Sequence, residues 1–534
     1  MANHGEVLEA EQETETVNNK PDEEEVTEKV FNDAVHGAIS LHPLCVKVVD
    51  TPQFQRLRFL KQVGTAYFVY PAAAHNRFEH SLGVCHLAGL LVRALQSRQP
   101  SLGITKKDVL CVQLAGLCHD LGHGPFSHLW ECFVKEAKPE KGWTHEEASV
   151  KMFDYLIERN NLEDEFKRYK LDNRDIIFIK ELIRRPFKTS SGDWPYKGRP
   201  REKAFLYEIV SNKRSGIDVD KWDYIVRDGH TLGIKVTFDY LRLIKFSRVI
   251  DVEGEGPQIC MRDKECVNLY DMFHARRILH RTAYQHRVTK TVDTMFIDAF
   301  LYADKHVKYR GDDGKKYCLS DACDNMSAYT LLNDSVIHLI LLAEGEHPDL
   351  LKAKQIVENV LTRKLYIYVG HTQPTANDIS HEDLLHSLEK NIPKGSSLTL
   401  DKLDIQEVRL NYGMGSQNPI EHVRFYSKSA PNIAKVLRKE EVSAMLPQSF
   451  QEVLFRLVCK SFEENIFLEV QNTFLAACKE LQMKEPSVCT TKMDSWPSHL
   501  TPVKRNASNN GQQTANGTGP SIRSAVTNLT FENL

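Results

Sequence analysis

Hydrophobic residues recur with helical spacing through most of the chain, most clearly over residues 105–118. Apolar side chains cover several faces of this segment, which predicts a buried helix, and Thr105 with Asp108 three residues later has the pattern of an N-terminal capping box. The glycines and the proline of LGHGPFSH end the helix and turn the chain back. Four groups that can bind a metal or transfer a proton follow it: His119, Asp120, His123 and His128.

The helical pattern extends from about Gln62 to Tyr284 and changes beyond about residue 360. There KLYIYVG, SSLTLDKLDIQEVRLNYG and HVRFYS have extended, partly alternating character, and residues 450–479 return to a helical pattern. We therefore predict a mainly α fold, with a helical core over residues 29–290 and a smaller C-terminal α+β lobe over residues 291–485. Residues 1–28, with ten acidic side chains and one lysine, and residues 486–534, rich in polar residues, are predicted disordered tails.

Local signals place three further helices. Thr51 before Pro52 and Thr144 before His145 are expected to cap helix N-termini. A strand-like stretch, residues 258–267, precedes a helix predicted over residues 271–288, which is rich in histidine and arginine. Such a basic helix usually faces solvent, but it would also suit the wall of a triphosphate-binding site.

Composition restricts the class of protein. The chain has 534 residues, 41% hydrophobic, and a net charge of −3, which gives no whole-chain argument for binding nucleic acid or an anionic membrane. No segment approaches the roughly 18 apolar residues of a membrane span. The 12 cysteines contain no CxxC pair, which favours reduced thiols. These features predict an intracellular protein without a membrane partner.

An isolated His-Asp pair such as His119-Asp120 is more often a satisfied buried pair than a metal site. This pair has two further features near it in the sequence: Arg77 and His80 open an apolar helix upstream, and residues 216–228 downstream are dense in carboxylates among apolar residues. Mixed imidazole and carboxylate ligands suit Zn, Fe, Mn or Mg, with open positions for water and phosphate oxygens. A first histidine, a His-Asp pair and a distant aspartate on separate helices resemble the ligand set of the HD-domain metallohydrolases, and this resemblance implies a metallohydrolase.

Longer motifs in the same order resemble the SAM-and-HD-domain deoxynucleoside triphosphate triphosphohydrolases of animals. They are HNRFEHSLG, LAGLCHDLGHGPFSH, WTHE, LYEIVSNKRSGIDVDKWDY and NLYDMFHARRILHRTAYQH. The resemblance extends from about Lys29 to the last helix, and only about 28 residues precede it, so we expect a form without the SAM domain. It implies an HD-domain core and attack of a metal-activated water on the α-phosphorus of a dNTP, which releases deoxynucleoside and inorganic triphosphate.

The resemblance also implies a set of site residues. The metal ligands, for a divalent Zn, Fe or Mn ion with Mg accompanying the nucleotide, are His80, His119, Asp120 and Asp220. The residues with catalytic roles are Arg77, Asp220 and a general-acid region made of His128, His123 and His145. The residues that contact substrate are Gln62, Val63, Arg77, His123, His128, Lys221, Tyr224, Asp228, Arg276, His280, Tyr284 and Gln285.

Two activator sites and a homo-oligomer that grows from dimer to tetramer are implied in the same way. The GTP site comprises Lys29, Val30, Asp50, Gln55, Arg58, Arg363 and Leu365. The adjoining dNTP site comprises Asn32, Val69, Tyr70, Arg242, Arg262, Lys264, Asn268, His286, Arg287, Val288 and Lys428. Because cations from distant segments repel one another, assembly should depend on triphosphates bound between subunits.

Other expectations concern regulation and the alternative functions. Thr501 in LTPVK has the pattern read by cyclin-dependent kinases and is a predicted phosphorylation site. The resemblance implies residence in the nucleus, the cytoplasm or both, and a place in antiviral innate immunity. The alternatives are an HD-type phosphodiesterase or nuclease, and a protein that binds single-stranded nucleic acid through the basic residues from Arg276 to Arg287.

Overall fold

A short β-hairpin followed by helices forms the first part of the computed structural model, which describes residues 27–186, 194–375, 379–443 and 445–489. Strands β1 (Lys29–Asp33) and β2 (Gly37–Leu41) pair antiparallel. The helices that follow are α1 (Pro43–Val49), α2 (Pro52–Gln55), α3 (Arg77–Arg98), α4 (Lys106–Cys118), α5 (His128–Ala137), α6 (His145–Arg159), α7 (Glu163–Arg168), α8 (Asn173–Ile183), α9 (Val219–Leu232) and α10 (Tyr240–Phe246).

The predicted helix starts are confirmed. Thr51 and Thr144 accept hydrogen bonds from backbone N–H groups in the first turns of α2 and α6, and Thr105 forms a capping box with Asp108 at the start of α4. Every residue of α4 from Asp108 to Cys118 is buried, because α4 packs between α3 and α8. Helix α2 is shorter than its pattern indicates, and a 3₁₀ turn continues the chain from Arg56 to Phe59.

The predicted basic helix over residues 271–288 is interrupted. Strands β3 (Ser247–Val252) and β4 (Gly256–Arg262) form a hairpin, and helix α11 (Cys266–Leu279) begins inside the stretch predicted as strand. A π-helical turn, His280–Tyr284, then separates α11 from α12 (Arg287–Ala303). Such turns are frequent at functional sites, and here the turn lies at the wall of the cavity described below.

The smaller lobe contains a four-stranded antiparallel sheet of order β11-β7-β10-β8. Strand β9 instead pairs parallel with β4. The remaining elements are β5 (Lys308–Arg310), β6 (Lys316–Cys318), α13 (Met326–Leu331), α14 (Val336–Leu342), α15 (Pro348–Leu361), β7 (Ile367–Thr372), α16 (His381–Asn391), β8 (Leu403–Asn411), β9 (Phe425–Tyr426), α17 (Lys439–Val442), β10 (Gln451–Cys459), α18 (Glu464–Glu480) and β11 (Ser487–Val488).

The helix predicted over residues 450–479 is wrong for its first part, because residues 451–459 form strand β10. This strand lies between β7 and β8, and its last three residues are all buried. A strand buried on both faces loses the alternation of apolar and polar residues that identifies a strand in sequence. Helix α18 occupies the second part, as predicted.

In the structure, the separate hydrophobic core of the smaller lobe begins farther along the chain than the predicted boundary between residues 290 and 291. That boundary falls inside α12, whose Val292, Phe296 and Phe300 are buried in the large core that also contains α3 and α4. The smaller core begins at Ile367. Strand β11 continues regular structure beyond residue 485. Within the described ranges, no helix has the length and apolar character needed to span a membrane.

Candidate active site

The four predicted metal ligands converge where α3, the end of α4 and the start of α9 meet. Oδ1 of Asp220 lies 3.2 Å from Nε2 of His80 and 3.6 Å from Nε2 of His119. Asp120 approaches the same two nitrogens at 3.5 Å and 3.3 Å. Ligand atoms of His80, His119 and Asp220 all lie within 4.8 Å of one another, which is a separation that one ion can bridge.

The remaining contacts of the two imidazoles fit a metal site. His80 Nδ1 lies 2.7 Å from an oxygen of Asp223, and His119 Nδ1 lies 2.8 Å from the carbonyl oxygen of Gly116. Metal-binding histidines are usually held in this way through the nitrogen that does not face the metal. Both Nε2 atoms are buried and have no hydrogen-bond partner among the described residues. This donor set therefore fits a divalent cation.

Protons compete for this site. Burial alone lowers the pKa of His80, but the nearby carboxylates of Asp220 and Asp223 outweigh it and raise that pKa to about 10. The adjacent imidazoles of His119 and His80 lower the pKa of Asp220 in turn, against the effect of desolvation. Because a metal must displace the imidazole protons, metal binding should release protons.

Three further histidines form a cluster next to Asp120. The rings of His123 and His145 stack at 4.1 Å, and the ring of His128 lies 5.2 Å from that of His123. His145 Nδ1 lies 2.9 Å from a carboxylate oxygen of Glu131. Although the His128 ring is exposed to the cavity, desolvation by the surrounding cavity walls, together with the positive charges of Arg77 and His145, lowers the pKa of His128 to about 4. Protonation of His128 at neutral pH therefore requires nearby negative charge, such as a bound polyphosphate supplies.

A cavity of about 500 Å³ opens beside these groups. All predicted substrate-binding residues line it except Lys221, whose Nζ lies 3.1 Å from a carboxylate oxygen of Asp218. The lining residues from that prediction are Gln62, Val63, Arg77, His123, His128, Tyr224, Asp228, Arg276, His280, Tyr284 and Gln285.

The cavity contains arginine side chains, which suit an anionic ligand, and unpaired polar atoms, which suit hydrogen bonds to that ligand. Arg77 Nη1 lies 2.5 Å from Asp120, and Arg276 Nη1 donates to the carbonyl of Asn411 at 2.9 Å. Nε of Arg276 and Oε1 of Gln62 are buried and lack a hydrogen-bond partner among the described residues. Buried polar atoms without partners are costly, so these two atoms are suited to bind a ligand.

Asp228 is the centre of a second polar group in the cavity. His75 Nε2 lies 2.6 Å from one of its oxygens, and the hydroxyl of Tyr284 donates to the other. Burial and the Asp228 charge hold the pKa of Tyr284 well above its usual range. Sequence reasoning missed His75, which fixes the orientation of Asp228.

The loop that leads to His128 has a strained backbone, which sequence reasoning also missed. Phe126 and Ser127 have φ values of 56° and 61°, in the left-handed region that residues with side chains rarely adopt. Asp334 holds this loop, since it accepts from the N–H of Phe126 at 2.6 Å and from the N–H of Lys61 at 2.8 Å. One carboxylate therefore joins two segments that line the cavity. Burial raises the pKa of Asp334 to about 6.

We expect Asp334→Asn to lower turnover at least tenfold with a smaller change in KM. An asparagine can accept from only one of the two N–H groups and presents its own N–H₂ to the other, so the loop that carries His128 is released. Steady-state kinetics measures the change. Asp313→Asn, at a carboxylate that accepts from the N–H of Lys315 on the protein surface, is the control. Equal kinetics for Asp334→Asn and the control would contradict this role.

The predicted activator positions are distributed over several elements of one chain, and some of these elements meet: the rings of Tyr70 and His286 lie 6.2 Å apart, and Arg363 Nη1 donates to the carbonyl of Phe68 at 2.8 Å. Arg58 Nε donates to Oε1 of Gln55 at 2.8 Å, and Asp50 follows directly after α1. Elsewhere, Arg242 pairs with Glu265 at 2.5 Å. The other positions lie on β1 (Lys29, Val30, Asn32), after the 3₁₀ turn of residues 64–68 (Val69, Tyr70), near β4 and α11 (Arg262, Lys264, Asn268), around the start of α12 (His286, Arg287, Val288), between α15 and β7 (Arg363, Leu365) and after β9 (Lys428).

Comparison with known proteins agrees with this geometry. The family model described as HD domain matches residues 77–226, which contain all four candidate metal ligands. The chain is 50% identical over 472 residues to deoxynucleoside triphosphate triphosphohydrolase SAMHD1 of Homo sapiens, covering 86% of this chain and 75% of that protein. It is 48% identical to the Bos taurus protein of the same name over 474 residues, which are 86% and 80% of the two chains.

A more distant relative extends the likeness beyond animals. The SAMHD1 homolog of Dictyostelium discoideum is 38% identical over 437 residues, which cover 82% of this chain and 78% of that protein. The identity in each case extends well beyond the segment that matches the HD-domain model. The chain therefore belongs to the SAMHD1 family of HD-domain deoxynucleoside triphosphate triphosphohydrolases.

Proposed function

We propose that this protein is a metal-dependent dNTP triphosphohydrolase that converts a dNTP and water to a deoxynucleoside and inorganic triphosphate, and so lowers dNTP pools. The observation that carries the proposal is the convergence of His80, His119, Asp120 and Asp220 beside a cavity lined by arginines. Family membership supports the substrate class. The test is to incubate the metal-loaded protein with each dNTP, with and without GTP, and to identify the phosphorus-containing product by mass spectrometry.

The geometry suggests how the chain would perform this reaction. When bound, a divalent ion such as Zn, Fe or Mn would supply Lewis acidity towards water and the α-phosphate, with Mg accompanying the nucleotide. Arg77 and Arg276 would offset the charge of the triphosphate. The water oxygen gives up a proton and bonds to the α-phosphorus, the bond from phosphorus to the 5′ oxygen breaks, and the 5′ oxygen takes up a proton to give the deoxynucleoside. The second product is inorganic triphosphate, with its three phosphates still joined.

The cavity also contains groups suited to the sugar and the leaving group. We assign the sugar to Tyr224 and Asp228, with Gln62, Val63 and Tyr284 packed against the ribose, where a tight fit would exclude a 2′-hydroxyl. We assign donation of the proton to the 5′ oxygen to His128, supported by His123 and His145. The triphosphate would raise the pKa of His128 from its value of about 4, because negative charge favours the imidazolium.

We expect His128→Ala to reduce turnover by roughly 10²- to 10⁴-fold, the range that general-acid catalysis contributes, while the protein keeps its metal. The fall should appear in kcat, because proton donation matters in the transition state rather than in binding. Single-turnover kinetics together with metal analysis measures both quantities. His338→Ala, at an exposed histidine, is the control. If the His128→Ala variant turned over within threefold of wild type, a group other than His128 would have to donate the proton to the 5′ oxygen.

We propose that GTP or dGTP and a dNTP act as activators at the positions named above and assemble the chain into a homotetramer. The support is chemical: several of these positions carry cations on separate elements of one chain, as expected for sites completed by another subunit. Phosphorylation of Thr501 by a cyclin-dependent kinase and residence in the nucleus or cytoplasm are further proposals. Thr501 lies outside the described residues.

The alternative functions differ in what they predict from the same assay. An HD-type phosphodiesterase or nuclease would leave triphosphate absent from the products. Binding of single-stranded nucleic acid was suggested by the basic segment from Arg276 to Arg287, but Arg276 and His280 of that segment line the cavity. The geometry therefore favours a role for this segment in binding a nucleotide.

A further inference from the structure

The β1–β2 hairpin is connected to the metal ligand His80 through one buried carboxylate. Asp223 Oδ2 lies 2.7 Å from Nδ1 of His80, and its Oδ1 lies 2.6 Å from Nε2 of His36, which is in the turn between β1 and β2. The side chains of these three residues are each at most 1% exposed. The hydroxyl of Tyr240 contacts the other nitrogen of His36 at 3.0 Å, so both ring nitrogens have partners.

Asp33, a second residue of the hairpin, joins the same network through Arg227. Arg227 Nε and Nη2 donate to the two oxygens of Asp223 at 2.8 Å and 3.0 Å, and Arg227 Nη1 lies 2.8 Å from Asp33 at the end of β1. Strand β1 is largely exposed, since three of its five residues face solvent. Strand β2 buries Ile39 and Leu41 in the large core, so apolar packing holds that strand, whereas the end of β1 and the turn are attached through polar side chains.

The helix that carries His80 leaves room for this network. Gly83 lies nearly one turn after His80 on α3, and a Cβ atom at Gly83 would be 1.9 Å from Asp223 Oδ1 and 2.5 Å from Arg227 Nη2. Either distance is far below van der Waals contact. Only a glycine at this position lets the carboxylate lie between His36 and His80.

We propose that His36 is a positioning residue for the metal site: it holds Asp223, which orients His80, so that hairpin docking and metal binding strengthen each other. The inference rests on the proposed metal site. A carboxylate that orients a metal-binding histidine typically changes metal affinity by 10- to 100-fold. Such coupling is reciprocal, so a metal at His80 should also stabilise the docked hairpin. Because β1 carries the predicted activator positions Lys29, Val30 and Asn32, a ligand that orders the hairpin would tighten the metal site.

The first test needs no variant. Hydrogen exchange of the hairpin amides, residues 29–41, is compared between full-length protein stripped with a chelator and the same protein reloaded with Mn²⁺. We expect exchange of these amides to slow at least threefold on metal binding, while amides of α16, in the smaller lobe, serve as the internal control. Equal exchange in the two forms, with Mn²⁺ shown to be bound, would overturn the inference.

The second test measures Mn²⁺ affinity of variants by titration. We expect His36→Phe to weaken binding at least fivefold and His36→Gln, which keeps an N–H donor, to recover part of that loss. His86→Phe is the matched control, because its ring lies 5.7 Å from that of His36 and the described contacts include no hydrogen bond between His86 and Asp223. Binding by His36→Phe within twofold of the control would overturn the inference. A wild-type protein that binds no Mn²⁺ would instead refute the proposed metal site.

Discussion

We expect Asp220→Ala to abolish triphosphate release and to remove the bound metal while the helical fold is retained. One oxygen of Asp220 faces Nε2 of both His80 and His119, so its loss removes one of the two carboxylates that the imidazoles share. A metal ion supplies several kcal/mol of transition-state stabilisation, and each 1.4 kcal/mol is a factor of ten in rate. Turnover should therefore fall by at least about 10³-fold.

Asp220 is a better test than its neighbours because its side chain is 31% exposed and its removal leaves no buried arginine without a partner. Asp120→Ala and His119→Ala should also inactivate the enzyme, but loss of Asp120 additionally removes the ion pair with Arg77. Metal analysis, circular dichroism and product analysis are measured on each variant, with the exposed Asp251→Ala as control. Near-normal turnover and metal content in all three ligand variants would show that the site is assigned wrongly.

Arg58→Ala is expected to prevent both tetramer formation and activation by GTP while leaving the metal bound. Arg58 is exposed, and its guanidinium is held by Gln55 and lies 3.5 Å from the centre of the Phe78 ring. It is therefore presented to solvent in a fixed orientation, where it can bind a phosphate of an activating nucleotide. Without that bound charge, the cations of neighbouring subunits repel one another and assembly loses its driving force.

Analytical ultracentrifugation with and without GTP plus dATP measures this effect, and activity is followed in the same samples. The wild-type protein should become tetrameric only with nucleotides, whereas Arg58→Ala should sediment as a monomer or dimer in both conditions. Arg159→Ala, at an exposed arginine in the last turn of α6, should behave as wild type. A wild-type protein that stays monomeric or dimeric throughout, with activity indifferent to GTP, would refute the proposed regulation.

Local sequence signals predicted those features that depend on near neighbours. The capping threonines Thr51, Thr105 and Thr144 satisfy backbone groups within three residues, so their effect is readable in the sequence. The convergence of His80, His119, Asp120 and Asp220 required the family resemblance, because these residues are spread over three segments.

The features that sequence reasoning missed depend on distant partners. Strand β10 is defined by strands on both of its sides, and its burial hides the strand pattern. Asp334 and His36 have no local motif, since their functional partners lie 208 and 187 residues away. Asp223 could have been predicted from the sequence. It lies three residues after Asp220 on α9, so both side chains project from the same face of that helix.

The central claim is tested most directly by finding which product receives the oxygen atom of the attacking water. The metal-loaded protein is incubated with dGTP in water enriched in oxygen-18, and both products are analysed by mass spectrometry. The proposed reaction predicts one oxygen-18 atom in intact inorganic triphosphate and none in deoxyguanosine, because water attacks the α-phosphorus and the 5′ oxygen stays with the sugar. Label in pyrophosphate or in a nucleoside monophosphate, with no triphosphate formed, would contradict the account.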